Sequence, residues 1–98
     1  MKNELDKLIA LIESPNFSGS ESFAHDKDIE SILSEVIGTS LETICCNLFH
    51  YTNDADIREK DNYYKEMQNR ELVKLIDFLK SGDLDSAKQI SFLQSTDN

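Results

Sequence analysis

Apolar residues recur along this chain at helical rather than strand spacing. Leu5, Leu8, Ile9 and Ile12 fall on one face, with Lys2, Glu4, Asp6 and Lys7 between them. The spacing predicts a first helix that stops near Ser14, because Pro15 disfavours helical geometry in the residue before it. Residues 14–21, Ser-Pro-Asn-Phe-Ser-Gly-Ser-Glu, read as a loop, and Phe17 within it is expected to return to the core. Ser20 or Ser22 is placed to cap a second helix, whose stripe is Ile29, Ile32, Leu33 and Val36, with Phe23 a turn or more earlier. Gly38 follows where a helix C-terminus needs a left-handed residue. Thr39 and Glu42 then stand at the N-cap and N3 spacing of a capping box. The run they open, Leu41, Ile44, Cys45, Leu48 and Phe49, is apolar around more of its circumference than its neighbours, which marks it as the central helix.

Thr52-Asn53-Asp54 signals a turn and a new cap. Between Asp54 and Ser81 there is no Gly or Pro, and Ile57, Tyr64, Met67, Leu72, Leu75, Ile76 and Leu79 trace an imperfect helical face. The apolar-free stretch 58–62 leaves two readings open, one long helix or two broken near Asp61-Asn62. Gly82 ends this segment, Asp83 caps the next, and Leu84, Ala87, Ile90 and Leu93 form the last stripe, with residues 95–98 expected to fray. No alternating strand pattern of any length is present. The expected fold is all-α, a compact bundle of five to six helices forming one domain over residues 1–98.

Composition agrees with the pattern. Only 3 Gly and 1 Pro occur in 98 residues, too few for a turn-rich β fold. At 39% hydrophobic and 30% charged, the chain can bury a core without a metal or a disulfide, and a monomer is expected when it is free. No apolar run is long enough to span a membrane. The start, Met-Lys-Asn-Glu-Leu-Asp-Lys, lacks the apolar stretch of a secretory signal, so a cytoplasmic location is expected.

Charge is the most informative feature. Lys and Arg total 10 against 19 Asp and Glu, a formal net charge of −9. A sequence-independent nucleic-acid binder needs cations to displace phosphate counterions, so direct nucleic-acid binding is not expected. The acids are unevenly placed. Residues 8–57 hold nine acids (Glu13, Glu21, Asp26, Asp28, Glu30, Glu35, Glu42, Asp54 and Asp56) and a single base, Lys27. The remaining 48 residues hold ten acids and nine bases, a mixed surface of the ordinary kind. A concentrated negative field speeds association with a basic partner and is screened by salt. Tyr51, Tyr63 and Tyr64 add rigid aromatic area of the sort that anchors interfaces, and consecutive helical positions cannot both face the core, so Tyr63 is expected outside.

Catalytic and metal chemistry finds little support. Adjacent Cys45 and Cys46 lack a second cysteine pair, so they read as small hydrophobes, Cys46 the more exposed. Asp26-x-Asp28-x-Glu30 alternates like part of a calcium loop but lacks its glycine and distal glutamate. His50 reads as a helix-end residue favourable to the dipole. No nucleophile motif or phosphate-cradling loop is present, so neither enzyme activity nor a cofactor is expected.

A small, acidic, helical chain of this kind resembles the bacterial immunity proteins that neutralise nuclease toxins of colicin or contact-dependent growth inhibition systems. Asp61-Asn62-Tyr63-Tyr64 is similar to the acidic Tyr-Tyr segment with which the DNase-colicin immunity proteins hold their toxins, although the proline that follows the dyad in that family is absent here. The resemblance implies a partner that is a basic nuclease domain. An inhibitor offering carboxylates competes with phosphate for such a surface, and steering gives fast capture. The residues expected to bind the partner are Asp26, Asp28, Glu30, Glu35, Asp54, Asp56, Tyr63 and Tyr64. Two other readings use the same features: a phage or plasmid nucleic-acid mimic of anti-CRISPR or anti-restriction type, or a helical adaptor, which would show an exposed apolar groove instead of a negative face.

Overall fold

Helix boundaries follow local capping chemistry more closely than they follow apolar spacing. The computed structural model describes residues 2–15, 17 and 22–92, with the backbone alone at 2, 22 and 23. Along them run α1 (Lys2–Ile12), a 3₁₀ turn (Ser22–His25), α2 (Asp26–Val36), α3 (Ser40–Asn53), α4 (Ala55–Lys60), α5 (Asn62–Ser81) and α6 (Leu84–Ala87). No strand forms among the described residues, so the fold is an all-α bundle of six helices. The expectations at Ser20, Leu93 and the tail 95–98, and for the side chain of Phe23, lie outside the described residues.

The corner between α2 and α3 is a modified capping box. Gly38 takes φ +87°, which only glycine adopts without cost. The Thr39 hydroxyl oxygen accepts from the Leu41 amide at 3.2 Å and donates to the Val36 carbonyl at 2.6 Å. Glu42 reaches past Thr39, and its carboxylate accepts from the Gly38 amide at 2.9 Å. The helix start of α2 differs from the expectation: Ser22 opens the 3₁₀ turn, and α2 begins after His25 with no side-chain cap. Asp26 and Asp28 lie in its first turn, where their charge suits the helix dipole.

Residues 54–81 form two helices, not one. The Asp61 carboxylate accepts from the Tyr64 amide at 3.1 Å, an N-cap that restarts the chain as α5. Gly82, at φ +80°, closes α5, and Asp83 caps α6 through the Ser86 amide at 3.1 Å. The last helix is shorter than its stripe predicts. It ends at Ala87, and the chain continues without helix through Ile90 and Phe92, both buried. Side-chain amides take the place of helical bonds there: Asn47 donates to the Ile90 carbonyl at 3.1 Å, and Gln68 to the Phe92 carbonyl at 2.7 Å.

These elements enclose one apolar cluster, with α3 against α2, α4, α6 and the 3₁₀ turn, and α5 against α1, α4 and α6. The radius of gyration, 12.8 Å, is that of a single domain of this length. Phe17 returns from its loop as expected. It is fully buried, stacked on Tyr51 at 5.6 Å between centroids and tilted against His25 at 5.4 Å. Phe92 meets the same Tyr51 ring edge-on at 5.2 Å. At the surface, Lys80 pairs with Glu13 at 2.5 Å between the ends of α5 and α1, but both side chains are about half exposed, so the pair adds little.

Phe17 thus ties a loop to the central aromatic stack. Phe17→Ala is expected to cost about 3–5 kcal/mol, read as a lowered urea midpoint at unchanged slope.

Candidate functional site

Four helix ends meet at one end of the bundle and gather most of the acids singled out in the sequence. Two hydrogen bonds make the junction. The Thr52 hydroxyl, near the end of α3, donates to the Asp26 carboxylate at the start of α2, at 2.5 Å. The Tyr64 hydroxyl, in the first turn of α5, donates to the Asp54 carboxylate between α3 and α4, at 2.6 Å. Asp26, Asp54 and Tyr64 are therefore structural members of the site, and Tyr64 is only 5% exposed. Asp28, Glu30, Asp56 and Tyr63 are exposed, Tyr63 by 74%. Glu35 is exposed too, but seven residues beyond Asp28 it lies about 10 Å further along α2, outside the junction. Its side chain is hydrogen-bonded to that of Glu4 on α1, and this contact holds the Glu4 carboxyl below the usual carboxylate range.

Behind the acidic end lies a buried polar network that the charge pattern does not reveal. Arg58, part of a stretch without apolar residues, is only 3% exposed, whereas its neighbour Ile57 is 43% exposed. The α4 helix turns Ala55 and Arg58, three residues apart, to the interior. The guanidinium lies 3.7 Å from the centroid of the Tyr51 ring, a desolvated cation–π contact. Its Nη1 donates to the Tyr51 carbonyl and, at 2.7 Å, to Gln68 Oε1. Fully buried Gln68 turns its amide nitrogen to three acceptors, the Phe92 carbonyl, Asp54 at 3.0 Å and the Tyr64 hydroxyl at 3.1 Å, so its two N–H groups are shared among them. The Tyr51 hydroxyl donates to Asn69 at 2.6 Å.

Desolvation governs the titration of these groups. Burial draws the Arg58 guanidinium below its ordinary value, opposed by Tyr51 and Asp54. Burial, then the hydrogen bond to Asp54 and the charge of that carboxylate, pushes the Tyr64 phenol up to about 12. Burial likewise pushes the Cys45 thiol up to about 11, while Cys46, one residue on, is exposed. Among the described residues no three His, Cys, Asp or Glu side chains converge to hold a metal ion, and no helix is long and apolar enough to cross a membrane.

At this end exposed carboxylates and one exposed phenol stand on a framework held by the hydrogen bonds behind them. A second surface feature lies alongside. Between α1 and α2 an open groove of about 440 Å³ is lined by Lys7, Ala10, Leu11, Asp28, Ser31 and Ile32. The sequence carries only a faint signal for it: the small residues Ala10 and Ser31 on the outer edges of two amphipathic helices.

Two expectations follow. Because the neutral Tyr64 phenol is the form the fold binds, its contribution is intact below the ordinary phenol value near 10 and is lost as pH rises through about 12. An unfolding series from pH 9 to 12 is expected to lose stability on the order of 2–3 kcal/mol through this group, and Tyr64→Phe to flatten the decline, leaving the share of Cys45 at lower pH. Native alkylation followed by mass measurement is expected to modify Cys46 alone, and both thiols after denaturation. Compared with known proteins, the chain matches no family model, no curated protein and no solved structure.

Proposed function

We propose that this chain is an immunity-type inhibitor that captures a basic nuclease toxin and so protects the cell producing it. The reading rests on the composition of the acidic end: Tyr63, 74% exposed, at the junction that carries Asp28 and Asp56, with Glu30 a turn or less away on α2. A large aromatic side chain left in water by a folded chain that buries Tyr51 and Tyr64 is a candidate anchor. The carboxylates steer a cationic partner and occupy sites that would otherwise hold phosphate, while Tyr63 slows release.

The roles divide by burial. Asp28, Glu30, Asp56 and Tyr63 contact the partner, whereas Asp26, Asp54 and Tyr64 hold the helix ends that present them. Glu35 lies on the same helix but belongs to a different part of the surface. The mode of action is occlusion, with no step in which this chain makes or breaks a covalent bond.

The test is capture of basic proteins by the tagged chain at low and high salt, with bound polypeptides identified by mass. One nuclease encoded next to this chain, bound more tightly at low salt, is the expected result. Joint charge reversal, Asp28→Lys with Asp56→Lys, is expected to weaken that binding at least about tenfold at low salt, and Tyr63→Ala to speed dissociation, with helical circular dichroism unchanged. Recovery of a host nucleic-acid enzyme would replace the reading with a nucleic-acid mimic. Salt-insensitive capture of an apolar partner would leave the charge without a role in recognition.

A further inference from the structure

The α1–α2 groove combines an apolar floor with an acidic rim. Leu11 and buried Ile32 form the floor, and the small exposed residues Ala10 and Ser31 leave it open. Around it stand Asp28, with its side chain 68% exposed, and the Glu4–Glu35 pair toward the other end of α2, with Lys7 in the lining and Lys27 beside Asp28. The Glu4–Glu35 contact and the meeting of Leu11 with Asp28 show that α1 and α2 run antiparallel, so the rim extends along about two helical turns.

From these observations we infer that the groove receives an amphipathic helix of the basic partner, its apolar face on Leu11 and Ile32 and its cationic flanks against Asp28, Glu4 and Glu35. Two turns of groove match apolar anchors at i, i+3 or i+4, and i+7, the spacing of helix-in-groove recognition. The volume, about 440 Å³, is within the range of ligand-receiving clefts. Charge selects the occupant. A second copy of this chain, at net charge −9, would bring carboxylates toward carboxylates, whereas lysine or arginine flanks meet a carboxylate at each end. This inference rests on the proposed function and deepens it: Asp28 belongs to both surfaces, so the partner that covers Tyr63 continues along α2 into the groove.

A synthetic helical peptide of about fifteen residues, with leucines at the anchor spacing and lysines on both flanks, is the probe. Its controls are the same composition with the leucines scrambled and a version with glutamate flanks. Amide shifts in labelled full-length protein are expected at Ala10, Leu11, Ser31 and Ile32, weakening with salt, while neither control binds. Ala10→Trp and Ser31→Trp fill the groove and are expected to reduce peptide affinity at least about tenfold with the helical spectrum unchanged. Should Ala10→Trp fail to fold, Ser31→Trp on the exposed face of α2 carries the test alone. Equal binding of the scrambled peptide, shifts confined to Asp56 and Tyr63, or tryptophan variants that bind like the parent would each overturn the inference. Against a captured basic partner, Asp56→Lys with Tyr63→Ala tests the acidic end, and the tryptophan variants test the groove. Loss through the first pair alone sinks the groove and leaves the proposed function standing. Retention through the first pair with loss through the second sinks the acidic end.

Discussion

Burying a guanidinium demands that its charge be met, and Arg58 places that demand on the interior. The Tyr51 ring lies under its plane, the Tyr51 carbonyl and Gln68 take its Nη1 donor, and Asp54 contributes its negative charge nearby. Each of those groups is then fixed for a second purpose. Tyr51 carries the stack with Phe17 and Phe92, Gln68 holds the chain after α6, and Asp54 receives Tyr64. Removing one partner from a buried charge typically costs about 3–5 kcal/mol, more than any surface ion pair here provides. The arrangement of α3, α4 and α5 is therefore tied to a polar cluster inside an otherwise apolar core.

That cluster explains why α4 exists. Six residues are too few for a stable isolated helix, even with Asp56 in the first turn and Lys60 in the last to suit the dipole. Its role is to project Arg58 inward at three residues from Ala55, and the Asp61 cap then lets the chain change direction into α5. The acidic end of the molecule is a by-product of the same geometry. Carboxylates needed to hold helix ends together, Asp26 and Asp54, bring with them exposed neighbours two residues on, Asp28 and Asp56, whose charges suit the dipoles of α2 and α4. An exposed acidic surface and a folding device thus share a stretch of sequence.

Much of the fold was legible because its signals are local. Gly38, Gly82, Asp83 and the Thr39–Glu42 spacing act within a few residues of themselves, and the apolar stripes of α1, α2 and α3 repeat often enough to be read without tertiary context. Phe17 could be assigned to the core because a lone aromatic in a polar loop has few other places to go. The break at Asp61 could not be decided, since a capping aspartate and a mid-helix surface aspartate look alike until the Tyr64 amide is placed. Arg58 was counted with the solvated charges of 58–62 for a plainer reason: nothing within one turn of it identifies Tyr51 and Gln68 as its neighbours. The short α6 escaped for the same cause, because the amides of Asn47 and Gln68 that compete for the chain after Ala87 come from distant helices. For the candidate site, the acidic stretch and the exposed Tyr63 were visible in the sequence. The division between inward and outward carboxylates was not.

The way Asn47 and Gln68 hold the segment after α6 bears on how this protein can change over evolutionary time. Both amides grip main-chain carbonyls, at Ile90 and Phe92, and a carbonyl is supplied by every amino acid. Part of the information that docks the segment therefore resides in α3 and α5, and the rest in the buried side chains of Ile90 and Phe92. The exposed Gln89 can drift while the path is kept, whereas a change at Asn47 or Gln68 would loosen the path with every residue of the segment intact. A segment held this way can vary where it faces water and still return to the same place.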